Sequence, residues 1–268
     1  MSDPLVSSPQ DPVKVTRDGG VLQVVLDRPK ANAIDAATSR RMGEVFQAFR
    51  DTPGLRAAII TGAGQKFFCP GWDLKAAAQG EGADADFGVG GFGGLQELPN
   101  LNKPVIAAVN GIAFGGGFEL ALSADIIIAA EHATFALPEI TAGILADAAT
   151  IKLPRRIPYH VAMDLLFTGR RMDAAEAHRW GIVCQVTPAD ELLAVARDTA
   201  RRLANGPPLV FAAIKEVARE TAHLPIQQAF DLCNGKVLPS VQKLYASEDY
   251  KEGARAFAEK RDPVWRGE

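Results

Sequence analysis

The stretch KPVIAAVNGIAFGGGFELALSADI, residues 103–126, decides the fold. Val105 to Val109 reads as a strand, Gly115-Gly116-Gly117 as a tight turn, the residues around Glu119 as a helix, and Ile126 opens a second strand that runs to Ala130. Working outward, Thr134 to Leu137 reads as a further strand and Arg56 to Thr61 as a buried one. Asp35 is placed to cap a helix in which Met42, Val45, Phe46 and Phe49 recur at three- and four-residue intervals. At the start, VKVT and VLQVVLD flank Arg17-Asp18-Gly19-Gly20 and predict a hairpin. Strands alternating with helices indicate an α/β core.

Downstream the pattern turns helical. Asp173 with Glu176 forms a capping-box-like pair, Gly181 suits a helix C-cap, and Leu192, Val195, Ala196 and Leu203 line one helix face. Asn205-Gly206-Pro207-Pro208 then breaks the chain. The segments around Ile214 to Arg219, Ile226 to Tyr245 and Tyr250 to Lys260 are helical in pattern and too few for an independent core, so residues 206–268 are expected to pack on a neighbouring subunit. The N-terminus, MSDPLVSSPQDP, has no basic start followed by an apolar stretch, and residues 1–12 are expected to form a disordered tail rather than a targeting signal. The glycine-rich stretch Gly80 to Gly94 is expected to be a mobile loop. Gly88, Gly90 and Gly93 formally satisfy GxGxxG, but without a preceding strand or a following amphipathic helix they carry little weight for nucleotide binding.

Chemistry points to Glu119 in GGGFELAL and Glu139 in FALPEI. The glycines before Glu119 free backbone N–H groups at a helix start, where orphan donors and the positive dipole end can hold a developing oxyanion. The turn Phe68-Cys69-Pro70-Gly71-Trp72-Asp73 offers another N–H, and two convergent donors are what a thioester enolate needs. Two carboxylates beside an oxyanion hole make a site. Each part also has an ordinary reading: Glu119 as dipole compensation, Glu139 as the cap of a turn after Pro138, and the glycines as tight backbone approach.

The chain has 268 residues, 47% hydrophobic and 23% charged, with a formal net charge of −3. That is ordinary globular composition with no nucleic-acid footprint. Cys69, Cys184 and Cys233 lack CxxC spacing, and His132, His160, His178 and His223 form no HExxH-type cluster, so reduced thiols and no metal are expected. No apolar run is long enough to span a bilayer, and a cytoplasmic location is expected. Neither a GxxxxGK[ST] loop nor a GxSxG elbow is present.

The runs DRPKANAID, FFCPGWDLKAA, KPVIAAVNGIAFGGGFELALSADI, FALPEI, TGRRMDAAEA, WGIV and AFAEKRDPVW resemble the crotonase (enoyl-CoA hydratase/isomerase) superfamily from about residue 13 to the end. GWDLKAAA, ADADFG and AFAEKRDPVW resemble its carnitinyl-CoA dehydratase branch. The resemblance implies a spiral of ββα units over residues 13–205, then a C-terminal helical region that builds homotrimers, often paired into hexamers. It implies an acyl-CoA substrate and no cofactor, coenzyme A being part of the substrate. It also implies that the N–H groups of Trp72 and Gly116 form the oxyanion hole. Glu119 would deprotonate water for attack at the β-carbon, and Glu139 would protonate the α-carbon. For CoA it implies backbone contacts at Ala31 and Ala33, a groove lined by Ala63 to Phe68, Asp73 and Leu74, and Phe257 and Lys260 reaching a neighbour's site. Arg28, Lys30 and Lys260 are candidate phosphate contacts, with a solvated rim as the other reading. For a quaternary ammonium, Trp72, Phe87, Phe92, Asp84 and Asp86 are the candidates, against solvation and packing. Trp180 and Trp265 are expected to serve packing.

One segment departs from the family pattern. After Glu139 the family continues with a proline- and glycine-rich turn ending in Gly-Gly, whereas this chain has Leu145-Ala146-Asp147-Ala148-Ala149-Thr150 and is one residue shorter. Asp147 is expected to cap the following helix, the alternative being a third carboxylate in the pocket. The rival activities are general short-chain enoyl-CoA hydration, double-bond isomerisation, and acyl-CoA or RNA binding without turnover. An isomerase needs only one proton-shuttling glutamate, so the presence of two argues for hydration.

Overall fold

A computed structural model describes residues 3–268. In chain order the elements are β1 (Val13–Asp18), β2 (Val21–Leu26), α1 (Ala36–Asp51), β3 (Ala57–Gly62), β4 (Phe67–Cys69), α2 (Leu74–Ala78), β5 (Val105–Val109), β6 (Ile112–Phe114), α3 (Gly116–Ala121), β7 (Ile126–Ala130), β8 (Thr134–Ala136) and α4 (Glu139–Ala142). There follow α5 (Asp147–Lys152), α6 (Tyr159–Thr168), β9 (Met172–Asp173), α7 (Ala174–Arg179), β10 (Gln185–Thr187), α8 (Leu192–Ala204), α9 (Pro208–Thr221), α10 (Ile226–Asn234), α11 (Pro239–Ala246) and α12 (Asp249–Glu259).

Two sheets share these strands. A six-stranded sheet runs β1-β2-β3-β5-β7-β10, antiparallel only at the β1–β2 hairpin. A four-stranded sheet runs β4-β6-β8-β9, with β4–β6 and β6–β8 parallel. Each coil of the chain lays one strand in the large sheet, turns, lays a short strand in the small sheet and enters a helix: β5-β6-α3, then β7-β8-α4. β3 and β5 are buried along their length and almost wholly apolar because they are covered on both faces, as parallel strands with helical crossovers must be. Phe46 and Phe49 of α1 lie in the cluster on one face, and Leu192, Ala196 and Ala200 of α8 lie against Ala57, Ile59 and Ile106 on the other.

The local signals hold where they are local. Asp35 Oδ1 accepts the Thr38 N–H at 2.8 Å at the start of α1, and Asp173 Oδ1 accepts the Glu176 N–H at 2.7 Å at the start of α7. The helical reading of Ile226 to Tyr245 needs a correction: it divides into α10 and α11, with Pro239 at the first position of the second.

Two stretches expected to be disordered or mobile make packing contacts. From residue 3 the expected tail is packed: Leu5 is 6% exposed, and Arg41 on α1 pairs with Asp11 at 2.8 Å and donates to the carbonyls of Pro4 and Val6. The other two residues of that tail, 1 and 2, lie outside the described ones. The stretch Gly80 to Gly94 is docked over its second half. Gly94 lies directly on the α1 backbone at Met42 and Gly43, and the Gly93 N–H donates to Ser39 Oγ at 3.1 Å. The GxGxxG run is therefore a loop seated on a helix. Among the described residues no helix is long and apolar enough to cross a membrane.

Candidate active site

The β6-α3 connection and the turn after β4 lie against each other. Gly71 has φ +97°, and a Cβ there would stand 3.0 Å from both the Gly116 nitrogen and the Phe114 carbonyl oxygen. The Cys69–Trp72 turn thus approaches the start of α3 more closely than a side chain permits. The loop Ala31–Ile34 holds that turn from the other side, with the Ile34 N–H on the Gly71 carbonyl at 2.9 Å and the Asp73 N–H on the Ile34 carbonyl at 2.8 Å. Among the described residues neither the Trp72 nor the Gly116 N–H has a protein acceptor, so both donors remain available. Cys69, between them, is buried and its thiol is pushed up to about 12, which leaves it inert.

Glu119 lies in the first turn of α3 and is 5% exposed. Its Oε1 accepts the Ala149 N–H at 2.8 Å and its Oε2 faces Gln96 Nε2 at 3.5 Å. Burial raises its pKa, the Ala149 N–H works against that, and the nearby Asp147 carboxylate adds to the rise. Glu139 opens α4, and its Oε1 packs on Gly115 so closely that a Cβ there would lie 2.6 Å away. Among the described residues its buried Oε2 has no hydrogen-bond partner. Burial, followed by the carboxylates of Glu119 and Asp147, raises its pKa to about 7. The two glutamates thus meet around the Gly115-Gly116 turn, one held and one with a buried oxygen unsatisfied among the described residues, a state that costs stability.

Asp147 is not the cap of α5. Ala146 occupies that position without a side-chain bond, and Asp147 sits inside the first turn with Oδ1 on the Ala148 N–H at 2.8 Å. Asp147 is exposed, and its carboxylate is near enough to raise the pKa of both glutamates. Of the cation-recognition candidates, Phe92 is the one whose ring lies against Gly116; it stacks edge-on with Phe87 at 5.5 Å. The Trp72 indole donates to Glu81 at 2.7 Å, Asp86 accepts the Gly88 N–H at 2.9 Å, and the carboxylate of Asp84 lies against Gly82.

Arg28 is not a free cation for phosphate. It pairs with Asp35 at 2.5 Å and with Asp73 at 2.6 Å and donates to the Ala33 carbonyl. Asp73 also caps α2 through the Lys75 N–H, so its carboxylate is spent on structure, and the Arg28 contact draws its pKa down. Asn32 donates to the carbonyls of Ala63 and Phe67, which brings Ala31, Ala33 and the Ala63–Phe68 segment together beside Trp72. Lys30 is exposed on that rim and Leu74 is 73% exposed. Phe257, 87% exposed, and Lys260 belong to the end of α12, whose packing partner is α11, and are not brought to this rim within one chain.

The enoyl-CoA hydratase/isomerase family model matches residues 16–268. The chain belongs to the enoyl-CoA hydratase/isomerase family. It is 58% identical over 254 residues to the carnitinyl-CoA dehydratase of Proteus mirabilis (strain HI4320), covering 94% of this chain and 97% of that one. The carnitinyl-CoA dehydratase of Escherichia coli (strain K12) is 57% identical over the same span. The crystal structure of an enoyl-CoA hydratase from Mycobacterium tuberculosis H37Rv superposes with a TM-score of 0.88 at 37% identity, over 97% of this chain and 100% of that one. The fold is that of the crotonase spiral.

For a member of this family, sequence reasoning missed the residues that hold Glu119: Gln96, Ala149, and the pair Ser123 and Lys152. Ser123 Oγ donates to the Glu119 carbonyl at 2.8 Å, and Lys152 Nζ donates to Ser123 Oγ at 2.7 Å. A lysine at the end of a helix that begins with an acid was the available signal.

Proposed function

We propose that this protein reversibly adds water across the Cα=Cβ bond of an enoyl-CoA thioester, with crotonobetainyl-CoA and carnitinyl-CoA as the preferred pair. The observation that carries the chemistry is the meeting of Glu119, the unpartnered Oε2 of Glu139 and two available N–H donors at one turn. The acyl group rests on the 57–58% identity to proteins named carnitinyl-CoA dehydratase.

In the hydration direction the thioester oxygen sits between the N–H groups of Trp72 and Gly116, which stabilise the enolate as it forms. Glu119, ionised, takes one proton from water while the water oxygen bonds to Cβ. The electron pair of the double bond moves to Cα and the thioester oxygen, and Glu139 gives its proton to Cα. A carboxyl group titrating at about 7 is matched to that transfer at neutral pH. Proton exchange with solvent resets both groups, and dehydration retraces the path. The addition is redox-neutral and its developing charge is met by the two N–H donors, so coenzyme A, as part of the substrate, is the only further group it needs. The exposed apolar residues Ile226, Phe230 and Phe257 of the C-terminal helices support a homotrimer in which Phe257 and Lys260 approach a neighbouring CoA site.

The test is loss of the conjugated enoyl-thioester absorbance with crotonobetainyl-CoA and with crotonyl-CoA. Preference for crotonobetainyl-CoA by tenfold or more in kcat/KM is the expected result. Preference for crotonyl-CoA leaves hydration standing and removes the carnitine assignment, and no turnover of either removes both.

A further inference from the structure

Helix α5 grips the turn of α3 that carries Glu119 at two points. At its start the Ala149 N–H holds the Glu119 carboxylate at 2.8 Å. At its end Lys152 Nζ donates to Ser123 Oγ at 2.7 Å, and that hydroxyl donates to the Glu119 backbone carbonyl at 2.8 Å. Arg156, just beyond, donates to the neighbouring Leu122 carbonyl at 2.5 Å. At the end of α3 one cation thus reaches the Leu122 carbonyl directly and another reaches the Glu119 carbonyl through the Ser123 hydroxyl, a favourable placement at a helix C-terminus.

The charges around this contact are unequal. Facing Lys152 are Glu119 from α3, Asp147 from its own helix, Glu97 from the segment before β5, and Arg156. Facing Glu119 are Asp147, Lys152 and, from α4, Glu139. The ammonium group touches Ser123 rather than any of these carboxylates, so it acts on them through space and on the backbone through a hydroxyl.

We propose that Lys152 is a positioning residue for Glu119: through Ser123 it fixes the helical turn that carries this carboxylate, and its charge offsets the two other carboxylates beside it. The assignment rests on the hydration reading for its kinetic consequences only, because the coupling itself exists in the free protein. Its physical basis is that a cation within reach favours the ionised form of a carboxylate, the form a general base must have. The half-buried lysine is drawn down to about 8 by its own burial, so it carries its charge at neutral pH. It is the last residue of α5, the helix that begins within the Leu145–Thr150 segment.

The experiment compares wild type with Lys152→Met, Lys152→Arg and Ser123→Ala. In Lys152→Met the acid limb of kcat/KM should move up by roughly one pH unit, which lowers the rate on that side about tenfold, with KM nearly unchanged. Lys152→Arg should restore the limb, and Ser123→Ala should lower kcat without moving it. Carboxylate-labelled carbon NMR, with Glu119→Gln to assign the signal, reads the Glu119 titration directly and does so even if wild type turns over no enoyl-CoA. A raised Glu119 midpoint in Lys152→Met supports the proposal; an unmoved midpoint in a folded variant overturns it, whatever happens to the rate. If Lys152→Met does not fold, the same shift must appear in Lys152→Gln or the proposal is lost.

Discussion

The start of α3 and the start of α4 each present a glutamate to the same turn, and they treat it in opposite ways. Glu119 is anchored through its carboxylate by Ala149 and Gln96 and through its backbone by Ser123. Glu139 opens a four-residue helix without a side-chain cap and keeps a buried oxygen that has no partner among the described residues. An anchored carboxylate suits a base that must hold water in one place. An unsatisfied one suits a group that must gain and lose a proton, because burial, reinforced by the neighbouring carboxylates of Glu119 and Asp147, brings its pKa to about 7.

The sharpest way to break this contrast is to remove each carboxylate separately. Glu119→Gln and Glu139→Gln should each lower hydration by about a hundred- to ten-thousand-fold. The two should part company on α-proton exchange of a saturated acyl-CoA in heavy water, which needs only Glu139 and the oxyanion donors. Glu119→Gln should keep that exchange within about tenfold of wild type, and Glu139→Gln should lose it. Equal loss in both variants would show that the roles are not divided as the contacts suggest.

A second change tests the donors that both glutamates serve. Gly71→Ala places a methyl group 3.0 Å from the Gly116 nitrogen at a φ of +97°, so the Cys69–Trp72 turn must move away from α3. The loss should approach the cost of one oxyanion donor, about a hundredfold in kcat, with a smaller effect on KM. A large rise in KM with kcat intact would place the turn in substrate binding instead.

Much of this was legible beforehand, for reasons that differ by scale. The β5 strand, the glycine turn and α3 are written in contiguous residues, and Asp35 and Asp173 accept N–H groups only three residues away, so periodicity and local hydrogen bonding suffice. The two glutamates stand out because the glycine run and Pro138 mark the turns that present them. What was hidden is tertiary. Arg28 reads as a free cation until Asp73, far along the chain, comes back to neutralise it. The polar N-terminus reads as a tail because its anchor, Arg41, belongs to another element. Ala149 holds Glu119 through its backbone, and an alanine carries no sign of that in its side chain.

The smallest expected effect is on stability, and it separates the two carboxylates without any substrate. Glu139 rises from an ordinary value of 4.5 to about 7 on folding, so between those values the native state binds more protons than the unfolded one. Stability therefore falls as pH rises through that window; the cost is absent below about 4.5 and fully present above about 7. Glu139→Gln removes the charge while keeping the shape, so it should raise Tm by about 6 °C at pH 8 and leave it unchanged at pH 4. Glu119, whose carboxylate already holds an N–H, should give a smaller rise in Glu119→Gln. Thermal melts at the two pH values decide the matter. If Glu139→Gln instead lowers Tm at both, Glu139 is part of the scaffold, and its unpartnered oxygen is not a cost carried for the sake of proton transfer.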